Sequence, residues 1–167
     1  MTFDLQPILA GDKVYIRPLR AEDYDGMFAA ASDPLIWEQH PDKNRHEPKI
    51  FRAYFEDALA SKGALVIIDR ETDELIGSSR FHGFDPVESK IEIGWTFLVR
   101  RCWGGAYNSE IKTLMLQHAF KAVQHVIFLV GPENLRSQKA LEKIGGVRIA
   151  DGLDGAGRLS FAYRISA

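Results

Sequence analysis

Hydrophobic residues along this chain fall at two spacings, and each change of spacing marks an element. Lys13-Val-Tyr-Ile-Arg17 is short, β-branched and aromatic and ends at Pro18, which predicts a first strand. Helical spacing follows at Tyr24, Met27, Phe28 and Ala31, and Asp33-Pro34 closes that helix. Pro34 to Pro48 reads as a loop with one irregular turn. Ile50, Tyr54, Phe55, Ala58 and Leu59 then share one side of a second helix, from about Glu47 to Ala60.

From Ala64 the period becomes that of strands. Leu65-Val-Ile-Ile-Asp69, a polar turn at Arg70 to Glu74, and Leu75 to Phe81 predict a hairpin. Asp85-Pro86 turns the chain into Ile91 to Phe97, where Ile91, Ile93, Trp95 and Phe97 alternate with Glu92, Gly94 and Thr96 and are expected to share one face. A long helix is predicted from Ala106 to Val123, with Ile111, Leu114, Met115, His118 and Ala119 on one stripe. Val126 to Val130 is a continuous apolar run suited to a buried central strand. Asn134 is a good N-cap for a last helix that turns Ala140, Leu141 and Ile144 inward and stops at Gly145-Gly146. Val147 to Ala150 and Leu159 to Ile165 form a final hairpin around the turn from Asp151 to Gly157. The order is β-α-α-β-β-β-α-β-α-β-β, an α+β plan with a mixed sheet. With no repeat or linker in it, a single domain over residues 1–167 is expected.

Composition narrows the partners. At 167 residues and 46% hydrophobic the chain can bury a sizeable core. A net charge of −2 supplies no basic field for a phosphate backbone, so nucleic acid is not an expected partner, and an anionic ligand needs a local site. There is no run of about 18 apolar residues and no basic-then-apolar leader, so no membrane association is expected. Cys102 is the single cysteine, which agrees with a reducing compartment, and a cytoplasmic location is the expectation.

The clearest candidate for such a local site is Arg101-Cys-Trp103-Gly104-Gly105-Ala106, where a strand feeds a glycine turn and then a long helix. Unpaired N–H groups and the positive helix end meet there, the glycines allow close approach, and Arg100 and Arg101 are expected to add charge. No Lys-Ser/Thr pair follows, so it is not a Walker loop. A glycine turn that merely starts a helix is the plainer reading.

With this turn the chain resembles the GNAT superfamily, whose pyrophosphate signature Gln/Arg-x-x-Gly-x-Gly/Ala is matched by Arg101, Gly104 and Ala106. The predicted element order is also the superfamily's. Within it, the chain is similar to ribosomal-protein N-terminal acetyltransferases, where Gly-Tyr-Ala-Thr-Glu commonly follows; here it stands as Ala106-Tyr107-Asn-Ser-Glu110. A second signature, Asn-x-x-Ser and then Glu-Lys-x-Gly-Phe, appears as Asn134-Leu-Arg-Ser137 and Glu142-Lys-Ile-Gly-Gly146, with Gly146 in place of Phe. The resemblance implies an N-acetyltransferase that uses acetyl-CoA and an amine acceptor. It implies that the pantetheine arm pairs with main-chain groups at Phe97, Leu98 and Val99, in a gap beside Val126 to Val130. Asn134 and Ser137 would face the arm and the thioester sulfur, although N-capping alone also accounts for Asn134.

Direct attack by an amine needs an unprotonated nucleophile, a place for the oxyanion and an exit for the thiolate. Ser137 can meet the thiolate, and by family analogy a backbone N–H near Phe97 or Leu98 meets the oxyanion. Many relatives place a tyrosine acid seven residues after the Asn; Leu141 stands there. Glu92 and His82 are the base candidates, each with a purely structural alternative. At pH 7 an α-amine is roughly 14% neutral and a lysine amine about 0.04%. A site without a strong base therefore favours an N-terminal or small low-pKa amine. Trp37, His40 and His82, in Trp37 to Pro41 and an expected hairpin tip at Phe81 to Phe84, are the candidate acceptor wall. Cys102 lacks a histidine partner, and His40 and His46 have no metal spacing, so no metal is expected. A homodimer through the C-terminal hairpin or an edge strand stays open, as do a non-catalytic acyl-CoA sensor and a protein-interaction module.

Overall fold

The computed structural model describes residues 2–167. Its strands are β1 (Leu9–Ala10), β2 (Val14–Pro18), β3 (Ala64–Asp69), β4 (Leu75–Asp85), β5 (Lys90–Leu98), β6 (His125–Val130), β7 (Val147–Leu153) and β8 (Leu159–Ser166). Its helices are α1 (Tyr24–Ala31), α2 (Pro48–Ser61), α3 (Ala106–Ala119) and α4 (Leu135–Lys143). All eight strands form one sheet in the order β1-β2-β3-β4-β5-β6-β8-β7. The expected α+β plan with a mixed sheet is present, with one addition. β1 is a two-residue strand, too short for a period to register. Glu110 of α3 holds the β1–β2 turn by accepting the N–H groups of Asp12, Lys13 and Val14, each at 2.8 Å.

The sheet is covered on both faces. Ile91, Ile93, Leu98, Ile111, Met115, Val126 and Leu141 belong to the core under α3 and α4. Met27, Phe51, Phe55, Val66 and Phe97 belong to the core under α1 and α2. Pro48 opens α2 where its missing N–H costs nothing, and Lys62 closes it in the left-handed region at φ 57°. At the end of α4, Gly145 adopts φ 95°. The Gly146 N–H then reaches the Leu141 carbonyl at 2.8 Å. A Cβ at Gly146 would lie 2.8 Å from that oxygen, which accounts for the glycine where the family signature has Phe.

Two features of β5 set the geometry of the cleft. β5 and β6 are parallel but pair only at Lys90–His125, Ile91–Val126 and Glu92–Ile127. Beyond Glu92 the sheet splits, and β6 continues only with β8. On its other side β5 carries a bulge. Ser78 pairs with Phe97 and Arg80 with Gly94, so three steps on β5 oppose two on β4. Trp95 sits in the bulge at φ 52°. The extra residue corrects the expected alternation. Ile91 and Ile93 face α3, whereas Trp95 and Phe97 join the α1/α2 core, on the same face as Glu92.

Candidate active site

The chain leaves β5 through Val99 and a 3₁₀ turn at Arg100–Cys102, passes Gly104 at φ 77° and enters α3. The first N–H at the helix start to find a main-chain carbonyl is that of Ser109, on Gly105 at 3.2 Å. The N–H groups from Gly104 to Asn108 form no hydrogen bond among the described residues, which is the arrangement an anion at a helix end requires. A Cβ placed at Gly104 or Gly105 would meet nothing within 4 Å, so the ground in front of these amides is open.

The arginines do not add to this site as expected. Arg101 donates to Asp69 at 3.1 Å and to Glu74 at 3.3 Å, and Arg100 pairs with Asp33. Tyr107 likewise turns aside, its hydroxyl donating to Asp69 at 3.2 Å. Asp69 is almost fully buried. Burial alone would raise its pKa, but the Glu71 N–H, Arg101 and Tyr107 outweigh that and hold it below the usual carboxylate range. Its work is to clamp the turn and the start of α3 to the end of β3. Cys102 is buried in the α3 core, its thiol pushed up mainly by burial, which leaves it a packing residue.

Of Phe97, Leu98 and Val99, only the middle residue turns its main chain toward the split. Val99 donates to the Ile76 carbonyl on the β4 side at 2.8 Å, and in an antiparallel pair such bonds fall on alternate residues. Phe97 and Val99 are therefore bonded to β4, and Leu98 faces the split. The Leu98 carbonyl already accepts the Trp103 indole N–H at 2.8 Å, which leaves the Leu98 N–H as the free donor. The Arg136 guanidinium lies 3.7 Å from the Trp103 ring centroid and donates to the Ile36 carbonyl at 3.4 Å. The start of α4 is thereby held against the end of the split. Asn134 caps α4 through the Ser137 N–H at 3.3 Å, and the Ser137 hydroxyl has no partner among the described residues.

Glu92 stands where β5 and β6 part, on the α2 face opposite His82 of β4. Its carboxyl lies over Gly94, where a Cβ would meet the Glu92 Oε2 at 3.0 Å. Burial raises its pKa to about 7, against a smaller lowering by Arg80. Such a carboxyl can exchange a proton near neutral pH. His82 is exposed, in the body of β4 instead of at a hairpin tip, with its ring 5.4 Å from that of Trp95. Trp37 is buried under the loop and donates to the Ala31 carbonyl at 2.9 Å, so it supports the wall from beneath. His40 accepts the Asp42 N–H on Nδ1 at 2.9 Å. Burial first, and Arg45 next, lower its pKa to about 4, so it is neutral at pH 7 and unsuited to catching an amine proton.

Three groups here have no signature in the sequence. Arg80 of β4 is 3% exposed; its Nη1 donates to Asp57 at 3.1 Å, but Nε and Nη2 are buried without partners among the described residues. Each such orphan costs about 1–3 kcal/mol. Arg45 is buried over Tyr54 and paired with Asp42 at 2.6 Å. Lys112 of α3 is buried beside Phe128, and that burial lowers its pKa to about 8. A glycine inside β5, at Gly94, is the one local hint of the bulge that gathers the α2-face groups. No cluster of three or more His, Cys, Asp or Glu suited to a metal ion occurs among the described residues, and none of their helices is long and apolar enough to cross a membrane.

The family described as Acetyltransferase (GNAT) domain matches residues 13–147. The chain belongs to the GNAT family. YoaA of Bacillus subtilis (strain 168), named an uncharacterized N-acetyltransferase, is 24% identical over 148 residues, which cover 83% of this chain and 82% of that one. A GCN5-related N-acetyltransferase from Brucella melitensis superposes with a TM-score of 0.84 at 20% identity, covering 96% of this chain and 79% of that one. Mycobacterium smegmatis RimJ, in complex with CoA-disulfide, superposes at 0.66 with 21% identity, covering 97% and 87%. The two structures share the fold, and the family makes this GNAT protein an acyl-CoA-dependent acetyltransferase. GNAT enzymes take their acetyl group from acetyl-CoA. The open amides at Gly104–Asn108 and the unpaired β5 edge at Leu98 suit its pyrophosphate and its amide-bearing arm.

Proposed function

We propose that this GNAT enzyme acetylates a primary amine, either a protein N-terminal α-amine or a small-molecule amine, by direct attack on acetyl-CoA. The observation that carries the reading is the position of Glu92. It is the last residue of β5 paired with β6, its carboxyl is raised to about 7, and it forms no ion pair among the described residues. Acetyl-CoA supplies an activated acetyl group on a sulfur leaving group. The pyrophosphate rests on the amides from Gly104 to Asn108, and the Leu98 N–H is the donor available along the split. Glu92 accepts the proton that the amine nitrogen loses as its bond to the acetyl carbon forms, directly or through one water. The C–S bond breaks, and the Ser137 hydroxyl, free of other partners, meets the departing thiolate.

A base near neutrality works best on an amine that is itself substantially neutral at pH 7, which favours α-amines over lysine. The test is thiol release from acetyl-CoA across a panel of α-amino compounds, N-terminal peptides, polyamines and lysine peptides. Turnover concentrated on α-amines is expected. Efficient turnover of lysine peptides alone would overturn the acceptor assignment.

A further inference from the structure

We infer that Arg80 recognises a carboxylate carried close to the acceptor amine, so that the enzyme selects amines of the amino-acid type. The inference rests on Glu92 being the group that faces the amine, as in the proposed function. Its own ground is the guanidinium. Arg80 is 3% exposed, and only Nη1 has an acceptor, the Asp57 carboxylate at 3.1 Å, whose side chain is 70% exposed. Nε and Nη2, two donors on one side of the fork, are buried with no partner among the described residues. A guanidinium cannot give up its charge to relieve this, and it matches a carboxylate through two parallel N–H bonds.

The register places this fork beside Glu92. Arg80 pairs with Gly94, and His82 with Glu92, so Arg80 and Glu92 are diagonal neighbours on one face, with backbones roughly 7–8 Å apart. Between them stands Gly94, which has no side chain, and the Glu92 carboxyl leans over it. The two charged groups nevertheless form no ion pair with each other, because Arg80 lies against the Trp95 ring, 4.2 Å from its centroid, and turns to Asp57. The other charged group near the fork, Arg45, is paired with Asp42 and adds positive charge. An amine bound at the Glu92 carboxyl with its own carboxylate a few bonds away spans from Glu92 to the fork when the Trp95 ring turns aside. Trp95 is half-buried on the bulge at φ 52°, with its ring as the cover over the Arg80 fork.

The free L-α-amino acids and peptides with Asp or Glu as first residue carry this chemistry. The test compares each with its uncharged match, the C-terminal amide or the Asn- or Gln-initiated peptide, in the wild-type enzyme, Arg80→Gln and Arg80→Lys, with acetyl-CoA saturating. In wild type, kcat/KM is expected to favour the acid by at least about 30-fold in one of the two series, which identifies the source. Arg80→Gln brings the acid down to the level of the amide, so the acid-to-amide ratio collapses whatever the change common to both through Glu92, a shift in ratio that a structural role does not produce. Should Arg80→Gln fail to fold, Arg80→Lys keeps the charge without the fork and lowers the ratio at least about tenfold. A wild-type enzyme that turns over amines with no acid preference leaves the proposed function standing and overturns this inference, as does an equal loss on acid and amide in Arg80→Gln. A wild-type enzyme that acetylates no amine sinks the proposed function, and thermal shift then decides here. In the presence of CoA, N-acetyl amino acids stabilise wild type more than their amides do, and Arg80→Lys loses that difference; equal stabilisation by acid and amide, or none, overturns it.

Discussion

The two ends of the split sheet are built on opposite principles. At the start of α3 the two arginines of the turn are already engaged, Arg100 by Asp33 and Arg101 by Asp69 and Glu74, and what is left open is main chain. On the α2 face the main chain is paired across β4 and β5, and side chains are left open: among the described residues Glu92 has no ion pair and Arg80 has two orphan donors. A pyrophosphate is common to every acyl-CoA, so a site made of backbone amides serves it whatever the acceptor is. An acceptor must be told from its competitors, and that takes side chains whose burial makes the wrong partner costly.

Four variants probe this contrast. Gly104→Val forces a β-branched residue to φ 77° and fills the open ground before the amides, and acetyl-CoA affinity by calorimetry is expected to fall about 100-fold. Glu92→Gln tests the opposite end through stability. The folded chain holds the Glu92 proton up to about 7, against a reference value of 4.5, so between those values the folded state binds more protons and loses stability as pH rises. The glutamine variant should therefore be more stable than wild type by about 1–3 kcal/mol at pH 8 and by much less at pH 5, read by denaturant unfolding. Ser137→Ala removes one hydrogen bond to the leaving thiolate, and kcat should fall about tenfold with acetyl-CoA affinity retained. The smallest effect is expected for Arg101→Ala. It unclamps Asp69 and lowers the melting temperature, but changes acetyl-CoA affinity less than about threefold; a loss as large as that of Gly104→Val would mean that the turn binds through its arginine after all.

The same contrast explains what the sequence discloses. The start of α3 depends on residues close together in the chain, so Gly104, Gly105 and Ala106 announce it, as Asn134 announces the cap of α4. The α2 face depends on pairing between distant strands. Ile91, Ile93, Trp95 and Phe97 read as one alternating face, and only the extra residue opposite β4 turns the last two to the other side. Arg80 follows two serines in what reads as an ordinary strand, and its burial comes from Trp95 and the cover of α2, which no local pattern contains. Arg101 misleads for the complementary reason. Its place in the motif is legible, but the carboxylates that engage it, Asp69 and Glu74, belong to another hairpin.

Whether Glu92 is the base for acyl transfer is decided by the pH dependence of kcat/KM. The measurement uses an acceptor amine whose own pKa lies below about 6, so that only the enzyme titrates between about pH 5.5 and 9. The wild-type rate is expected to rise through about pH 7 to a plateau, and the Glu92→Gln rate to be about 100-fold lower and flat across the range. A Glu92→Gln enzyme that keeps the wild-type rate, or the same rise near pH 7, would contradict the assignment.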